Sequence, residues 1–217
     1  MNLQLLYSFL FFLCFILILV FCEFLYKKGF QVEYTRKVAH SLSTLFCLSV
    51  PFCFSSYWYV LLLVIGSFSM LYIGRKKQLL NSIYAVDRKT YGAYLLPVSI
   101  GITYYLSLLL QNNLFFILPV VVLAISDPLA CYFGKGYKSN VLISGKTIVG
   151  TSVFFLSTLI ICCLILFYQS TGTRTIGIAL GISVITSGVE LISPNGSDNL
   201  TIPLSVIASL VLFDAIL

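Results

Sequence analysis

The chain has 217 residues, of which 59% are hydrophobic and only 9% are charged, with a formal net charge of +6 and a mean hydropathy of +1.04. A soluble domain carries about 25% charged residues, so this composition excludes an ordinary soluble protein and indicates an integral membrane protein. At about 20 apolar residues per spanning helix, the chain has room for about seven to eight spans and for no separate soluble domain.

Apolar runs separated by polar breaks predict an all-α, polytopic membrane helix bundle that forms a single domain over residues 1–217. The first run, Leu5–Cys22, has no basic segment before it and no small-residue cleavage site, so we expect a retained helix rather than a signal peptide. The seven cysteines lie mostly inside apolar runs and form no CxxC pair, which favours small buried hydrophobes over disulfides or metal ligands. The candidate helices are 4–26, 40–54, 57–73, 93–110, 114–133, 150–168, 175–192 and 200–217.

The basic residues predict the orientation of this bundle. All of them except Arg174 fall in the first, third and fifth breaks between the candidate helices, and cytoplasmic loops collect Lys and Arg. The pattern therefore predicts eight spans with both termini outside the cytoplasm. This topology places one set of polar residues at or near cytoplasmic helix ends, where ionisable groups indicate a functional site. The set is His40, Asp87, Asp127, Glu190, Asp198 and Asn199.

The segment 126–152 carries the clearest chemical pattern. Ser126, Ala130 and Gly134 recur every four residues and form a stripe that another helix can approach closely, and Asp127 lies beside it. A carboxylate there can hold Mg²⁺ together with substrate phosphates, and the nearby lysines can neutralise phosphate oxygens. "GKT" at 145–147 is not a P-loop, because the residue that should be its first glycine is Asn140. The structural alternative makes Asp127 the partner of a lysine and the lysines ordinary membrane anchors.

Three further motifs are weaker alone. In "YTRKVAH" at 34–40, Arg36 and His40 share a helix face and suit phosphate binding or proton transfer, although a helix-end anchor fits equally. In the basic loop 75–97, attraction to anionic lipid head groups explains Arg75–Lys77 but explains Asp87 and Arg88 less well. In the segment 187–204, Glu190 shares a polar face with serines of its helix, whereas Asp198 could cap the last helix.

Together these motifs resemble those of the CTP-dependent lipid kinases, which include dolichol, phytol, farnesol and yeast-type diacylglycerol kinases and are related to phosphatidate cytidylyltransferases. The resemblance rests on "RKVAH", "DRKTYG", "SDPLACYFGKGYK" and "SGKTIVGT", followed by a glutamate and "SDNLTIPL". It covers about residues 36–203, the expected catalytic core. One departure is that Lys138 lacks the glycine that often precedes the second lysine in the family, while Gly136 comes early.

The resemblance implies transfer of the γ-phosphoryl group of CTP to the hydroxyl of a membrane alcohol, with Mg²⁺ or another divalent cation. It implies a metal site at Asp127, Glu190 and Asp198, and catalytic roles for Asp127, Lys146, Glu190 and Asp87. The expected partners are CTP, a lipid alcohol and the bilayer, with no nucleic acid, in a prokaryotic inner membrane. The implied nucleotide and phosphate ligands are Gly134, Lys135, Lys138, Gly145, Lys146, Thr147, Gly150, Arg36, His40, Arg88 and Asn199.

Several points stay open at the level of sequence. The general base can be Asp87, Glu190 or His40. A cytidylyltransferase would share the metal site but attack the α-phosphate of CTP and release pyrophosphate. An anion transporter would be expected to show paired repeats with broken helices at mid-membrane, and the sequence shows neither. The identity of the lipid and the oligomeric state are not encoded in these motifs.

Overall fold

A computed structural model describes residues 3–86, 90–169 and 173–214 of the chain. Within these ranges the chain forms ten α-helices, a short 3₁₀ turn at Ile143–Gly145 and one isolated antiparallel bridge between Val141 and Thr147. The helices are α1 (Leu3–Lys27), α2 (Val32–Cys47), α3 (Val50–Cys53), α4 (Tyr57–Lys76), α5 (Asn81–Tyr84), α6 (Gly92–Leu109), α7 (Leu114–Gly136), α8 (Ile148–Gln169), α9 (Thr173–Ile192) and α10 (Asp198–Asp214).

Six helices are long and apolar enough to cross a membrane: α1, α4, α6, α7, α8 and α9. This confirms a multi-pass helical membrane bundle by length and composition. The predicted seven to eight spans are not confirmed in the described part of the chain. With 16 and 17 residues, α2 and α10 are both shorter than a full span, and α2 also carries charged and polar residues through its first half.

The predicted helix 40–54 is wrong in its bounds. The structure has α2, which begins eight residues earlier at Val32, and the separate single turn α3. The helix extends back through the polar segment because its polar residues face inward and find partners: the Thr35 hydroxyl donates to the Ser82 carbonyl at 2.7 Å. Pro51 lies in the first turn of α3, where a proline is tolerated, and the helical run is broken just before it.

Several other helices run further into the polar breaks than predicted. α4 continues through Arg75 and Lys76, and α7 continues through Lys135 to Gly136. The short helix α5 was not predicted. Its Ser82 backbone N–H donates to Oε2 of Glu23 at 2.9 Å, so the end of α1 holds it in place.

α7 is the central helix, because 61% of its apolar segment is buried against 17% in α1 and in α4. It packs closely on α8 through the predicted stripe of small residues. A Cβ on Gly134 would lie 3.2 Å from the Cα of Gly150, and a Cβ on Gly150 would lie 3.0 Å from the Ala130 carbonyl oxygen. Farther along the same contact, the Thr158 hydroxyl donates to Ser126 at 3.1 Å. The stripe therefore joins the two helices that carry the candidate site.

Candidate functional site

A cavity of about 240 Å³ opens among the helix ends at the end of the bundle where α7 and α9 finish and α8 and α10 begin. Most of the residues predicted from the sequence line this one cavity, although they are far apart in the chain. They are Arg36, His40, Asp127, Gly134, Lys135, Gly145, Lys146, Thr147, Gly150, Glu190, Asp198 and Asn199.

Among the described residues, one predicted site residue does not join this group. Lys138 is exposed after the end of α7 and does not line the cavity. The chain turns away there because α7 ends at Gly136 and Tyr137 is extended. Asp87 and Arg88 lie outside the described residues, so their predicted roles remain predictions.

Asp127 is the centre of a buried cluster on α2 and α7. Its side chain is 3% exposed, and Oδ2 lies 2.5 Å from Nζ of Lys37 and 3.5 Å from Nε2 of His40. The same His40 nitrogen lies 3.1 Å from the Leu123 carbonyl oxygen. Because a carbonyl oxygen can only accept, this contact favours a hydrogen on Nε2. Burial lowers the pKa of His40, and the nearby Asp127 carboxylate offsets only part of that effect.

The sequence prediction did not single out Lys37. The usable signal was its spacing of three residues from His40, which places both side chains on one face of a helix. Its neighbour Arg36 binds elsewhere: its Nη2 lies 2.7 Å from Oε2 of Glu33, and Lys135 approaches the other Glu33 oxygen at 3.5 Å. Arg36 therefore lines the cavity while its charge is held by Glu33.

Lys146 forms the second cluster. Its Nζ lies 2.5 Å from Oε1 of Glu190 and 3.0 Å from Oδ2 of Asp198. Burial alone would lower the pKa of Lys146, but the carboxylates of Asp198, Glu190 and Asp127 raise it above its usual value. Lys146 is therefore a permanent cation at neutral pH and cannot act as a general base.

Glu190 is only 2% exposed, and its second oxygen, Oε2, is buried without a hydrogen-bond partner. A buried carboxylate oxygen without a partner carries a large desolvation cost, so such an atom indicates a ligand or ion. Asp198 is also engaged through its backbone neighbour, because Oδ1 accepts from the Asn199 N–H at 3.0 Å. Asp198 is the first residue of α10, and its bond to the next N–H is not the bond of a helix cap, so its second oxygen places it in the ionic cluster instead.

A tight loop places Lys146 between α7 and α8. Ser144 and Gly145 have positive φ angles of 57° and 74°, which let the chain reverse after the Ile143–Gly145 turn. The Leu142 N–H then donates to the Lys146 carbonyl at 2.6 Å. At the start of α8, the Thr147 hydroxyl accepts from the Gly150 N–H at 3.1 Å and lies against Gly134.

The turn before α10 packs on the start of α6 through hydrogen bonds. The Tyr91 N–H donates to the Asn195 carbonyl at 3.0 Å, and the Asn199 side-chain amide donates to the Gly92 carbonyl at 2.7 Å. Gly196, with φ of +85°, packs so closely that a Cβ would lie 2.6 Å from the Gly92 nitrogen. The sequence showed this segment only as a turn, and it did not indicate that the turn docks on α6.

These contacts bring the N-termini of α6, α8 and α10 to the cavity, which Ala93, Thr147 and Asp198 line. The positive dipole end of each helix favours an anion. The first N–H groups of α8 and α10 already donate within the protein, for example from Ile148 to the Asn140 carbonyl and from Gly150 to Thr147, so they are not free to bind one. Asn199 has a structural role here, because its amide is committed to Gly92.

The carboxylates are not gathered into a metal-ligand set. Among the described residues, no three His, Cys, Asp or Glu side chains lie close enough together to hold a metal ion. Asp127 is neutralised by Lys37, whereas Glu190 and Asp198 share Lys146. The cavity thus carries carboxylates and lysines in alternation, with one Glu190 oxygen unpartnered.

Comparison with known proteins gives one related sequence but no family. No family model matches the chain, and no solved structure matches it. The chain is 38% identical over 113 residues to "uncharacterized protein RP860" of Rickettsia prowazekii (strain Madrid E). The match covers 51% of this chain and 54% of that protein, so the chain spans about half the length of the curated relative it matches.

Proposed function

We propose that this protein is a membrane lipid kinase that transfers the γ-phosphoryl group of CTP to the hydroxyl of a lipid alcohol. The observation that carries the proposal is a single cavity that joins an ionic end, with Lys146, Asp127 and Glu190, to an apolar section between α1, α4 and α6. Transfer between a polyanionic nucleotide and a hydroxyl on an apolar tail requires an ionic region that borders an apolar one, and this cavity contains both. The basic loops favour the cytoplasm for the ionic end. The short loops favour a prokaryotic inner membrane as the location.

The ionic end fits phosphate groups. Lys146 is held before the start of α8, Lys135 is exposed and lines the cavity, and residues at the starts of α6, α8 and α10 line the same cavity. Phosphoryl transfer depends mainly on positioning and on neutralising charge, and these groups supply both. The nucleotide would be held here by Gly134, Gly145, Thr147 and the two lysines.

The carboxylates supply the ligand type that a divalent cation prefers, although no three of them lie close enough together among the described residues to form a ligand set. Mg²⁺ prefers carboxylate oxygens combined with substrate phosphates, and the buried Glu190 Oε2 has no partner within the protein. The residues that would hold the ion are Asp127, Glu190 and Asp198, and the ion would neutralise charge on the phosphates. To hold an ion, these carboxylates would have to give up their contacts with Lys37 and Lys146, and the two ammonium groups would then be available to phosphate oxygens.

Within the ionic end, His40 is next to the apolar section, because Ser43 and Thr44 follow it on the same face of α2 and line that section. The acceptor hydroxyl would lie at this junction. His40 is neutral near pH 7, because burial lowers its pKa, so it has a ring nitrogen able to accept a proton. Glu190 is a second candidate for the base, and Asp87 is a third outside the described residues.

The test is an assay of the purified protein in detergent with CTP labelled separately at the γ- and α-phosphates and with prenols or diacylglycerol as acceptors. Label in the lipid from γ-labelled CTP alone is the expected result. Label from the α-phosphate would instead indicate a cytidylyltransferase. Absence of transfer to every acceptor, with a control kinase active in the same detergent, would overturn the proposal.

Two variants test the site. Asp127→Asn and Lys146→Gln should each reduce transfer by at least about 10²-fold, because each removes a charge that the phosphates or the metal require. Lys77→Ala is the matched control, since Lys77 is an exposed lysine beyond α4 and does not line the cavity. Near-normal transfer by a folded Asp127→Asn or Lys146→Gln protein would remove that residue from the mechanism.

A further inference from the structure

The apolar section of the cavity is elongated along the bundle. It is lined on α4 from Val60 to Leu71, a separation that corresponds to about 16 Å along a helix. α1 lines it from Phe11 to Leu19, and α6 lines it from Ala93 to Ile100. The section therefore runs from the ionic end toward the opposite end of the bundle.

This section is closed by aromatic and aliphatic side chains at its far end. Phe11, Phe46, Val50, Val60 and Ile100 line the cavity there and belong to one packed hydrophobic group, which we call the floor. The ring centroids of Phe11 and Phe46 are 4.6 Å apart.

A second row of buried residues supports the floor from behind. The Phe54 ring lies 5.1 Å from that of Phe11, and the hydroxyl of the buried Tyr104 donates to the Phe54 carbonyl. Phe116, which is fully buried, packs edge-on against Tyr104 at 5.8 Å between centroids. Packed side chains yield little, so the floor is a fixed limit.

The cavity is narrow and its polar groups are unevenly placed. Its whole volume, ionic end included, is about 240 Å³, below the ~300–1,000 Å³ of pockets that enclose drug-sized ligands. The polar side chains within the apolar section, Ser43, Thr44 and Ser67, are small hydroxyls, and that of Thr44 donates to the His40 carbonyl. The charged groups are confined to the opposite end, so a bound molecule must place its polar group there.

We propose that this section holds the tail of a single-chain lipid alcohol, and that the floor sets the longest tail the protein accepts. The inference rests on the proposed function only for the reaction at the hydroxyl. A tail moving from lipid into this cavity leaves a medium that is equally apolar, so length is selected by exclusion rather than by burial. A chain longer than the cavity must push against the floor side chains or leave its hydroxyl short of the ionic end.

The test measures binding without nucleotide. Saturable binding of tritium-labelled farnesol to the protein in detergent is challenged with unlabelled geraniol, farnesol, geranylgeraniol and dioleoylglycerol. We expect prenols that are too long for the cavity to compete about tenfold more weakly than those that fit, which is the scale of overpacking in a filled core. The two-chain glycerolipid should not compete. Phe46→Leu and Phe11→Leu should extend the accepted length, and Val60→Phe should shorten it.

Phe154→Leu is the matched control. Phe154 is fully buried in the hydrophobic group around α7 and α8 and does not line the cavity, so its truncation should leave the order of the competitors unchanged. Using both enlarging and filling variants keeps the test decisive if one of them does not fold.

The outcomes separate this inference from the proposed function. The inference is overturned if farnesol binding is not saturable, if dioleoylglycerol competes as well as a prenol, or if the floor variants keep the wild-type order. A shift in tail length without transfer from labelled CTP would support the tail site and overturn the kinase. Transfer from labelled CTP with an unchanged length preference would support the kinase and overturn the tail site.

Discussion

Lys37 and Lys146 pair with three carboxylates beside the cavity. Lys146 is the better position for a test, because it contacts two of the three. Its side chain is 22% exposed, whereas that of Glu190 is 2% exposed. Lys146→Ala would leave Glu190 buried without a cation, at a cost of about 3 kcal/mol, the low end for buried pairs because the lysine is partly exposed. The melting temperature of the purified protein should fall accordingly.

A double-variant cycle isolates this pair. Adding Glu190→Gln to Lys146→Ala should recover part of the lost melting temperature, because the uncompensated charge is removed. If the fall in melting temperature of the double variant equals the sum of the falls in the two single variants, the two side chains are energetically independent.

His40 makes the stability of the protein sensitive to acid. Burial lowers its pKa in the folded protein, while the unfolded chain keeps a histidine pKa near 6.5, so the unfolded state takes up a proton first as the pH falls. The contribution is complete above about pH 6.5 and is lost as the pH falls toward the lower, folded-state pKa. Melting temperatures measured from pH 8 to pH 5 should show this decline.

His40→Gln provides the comparison, because glutamine does not titrate and its amide can still donate to the Leu123 carbonyl. The variant should have a flatter pH profile below about pH 6.5. An identical decline in both proteins would assign the acid sensitivity to another group.

At single positions the sequence was informative where a charge was unusual. Asp127, Glu190 and Lys146 could be predicted to converge, because ionisable residues are costly in an apolar bundle and tend to gather where they serve a common site. The pairing of Lys37 with Asp127 was ambiguous, because both Arg36 and Lys37 are spaced to share a helix face with His40 and the sequence does not say which of them faces inward. Docking of the Asn195–Gly196 turn on Gly92 was also hidden, because it depends on backbone contacts between distant segments.

At the level of helices, the contact between α7 and α8 carries the site. A Cβ at Gly134 would lie 2.8 Å from the Thr147 hydroxyl and 3.2 Å from the Cα of Gly150, so Gly134→Ala should force the helices apart. The expected cost is about 1–3 kcal/mol, the range for overpacking, and it would move Lys146 relative to Asp127. Both the melting temperature and CTP-dependent transfer should fall.

Gly136→Ala is the control on the same helix, since a Cβ there meets nothing within 4 Å. It should behave as the wild type or be slightly more stable, because alanine favours helix more than glycine does. Equal losses in Gly134→Ala and Gly136→Ala would show that the close packing of α7 on α8 is not what matters.

Helix existence followed from apolar runs, but helix bounds did not. The candidate span 40–54 leaves out the polar first half of α2, although the motif at 34–40 is treated as helical. In the structure Thr35, His40 and Thr44 are buried against other protein elements. Hydropathy alone cannot distinguish a polar residue that faces protein from one that ends a span.

At the scale of the whole molecule, the alternation of basic and uncharged breaks predicts which end of the bundle faces the cytoplasm. The structure places Arg36, Lys135 and Lys146 at one cavity, and the six apolar helices do not by themselves fix the orientation. The sequence predicted more spans than the six helices that qualify. The α2–α3 segment and α10 are apolar enough to suggest spans, but their helices are too short, and α2 is also too polar, to cross a membrane.

The orientation can be measured by labelling single cysteines from outside the cell. In a protein whose seven native cysteines are replaced by serine or alanine, Asn112→Cys and Lys138→Cys introduce thiols at exposed positions on either side of α7. Cytoplasmic loops collect basic residues, so Lys138→Cys should react with a membrane-impermeant maleimide only after permeabilisation. Asn112→Cys, in an uncharged turn before α7, should react in intact cells. The opposite pattern would place the ionic end of the cavity outside the cytoplasm, away from nucleotide, and would rule out the proposed reaction along with the orientation.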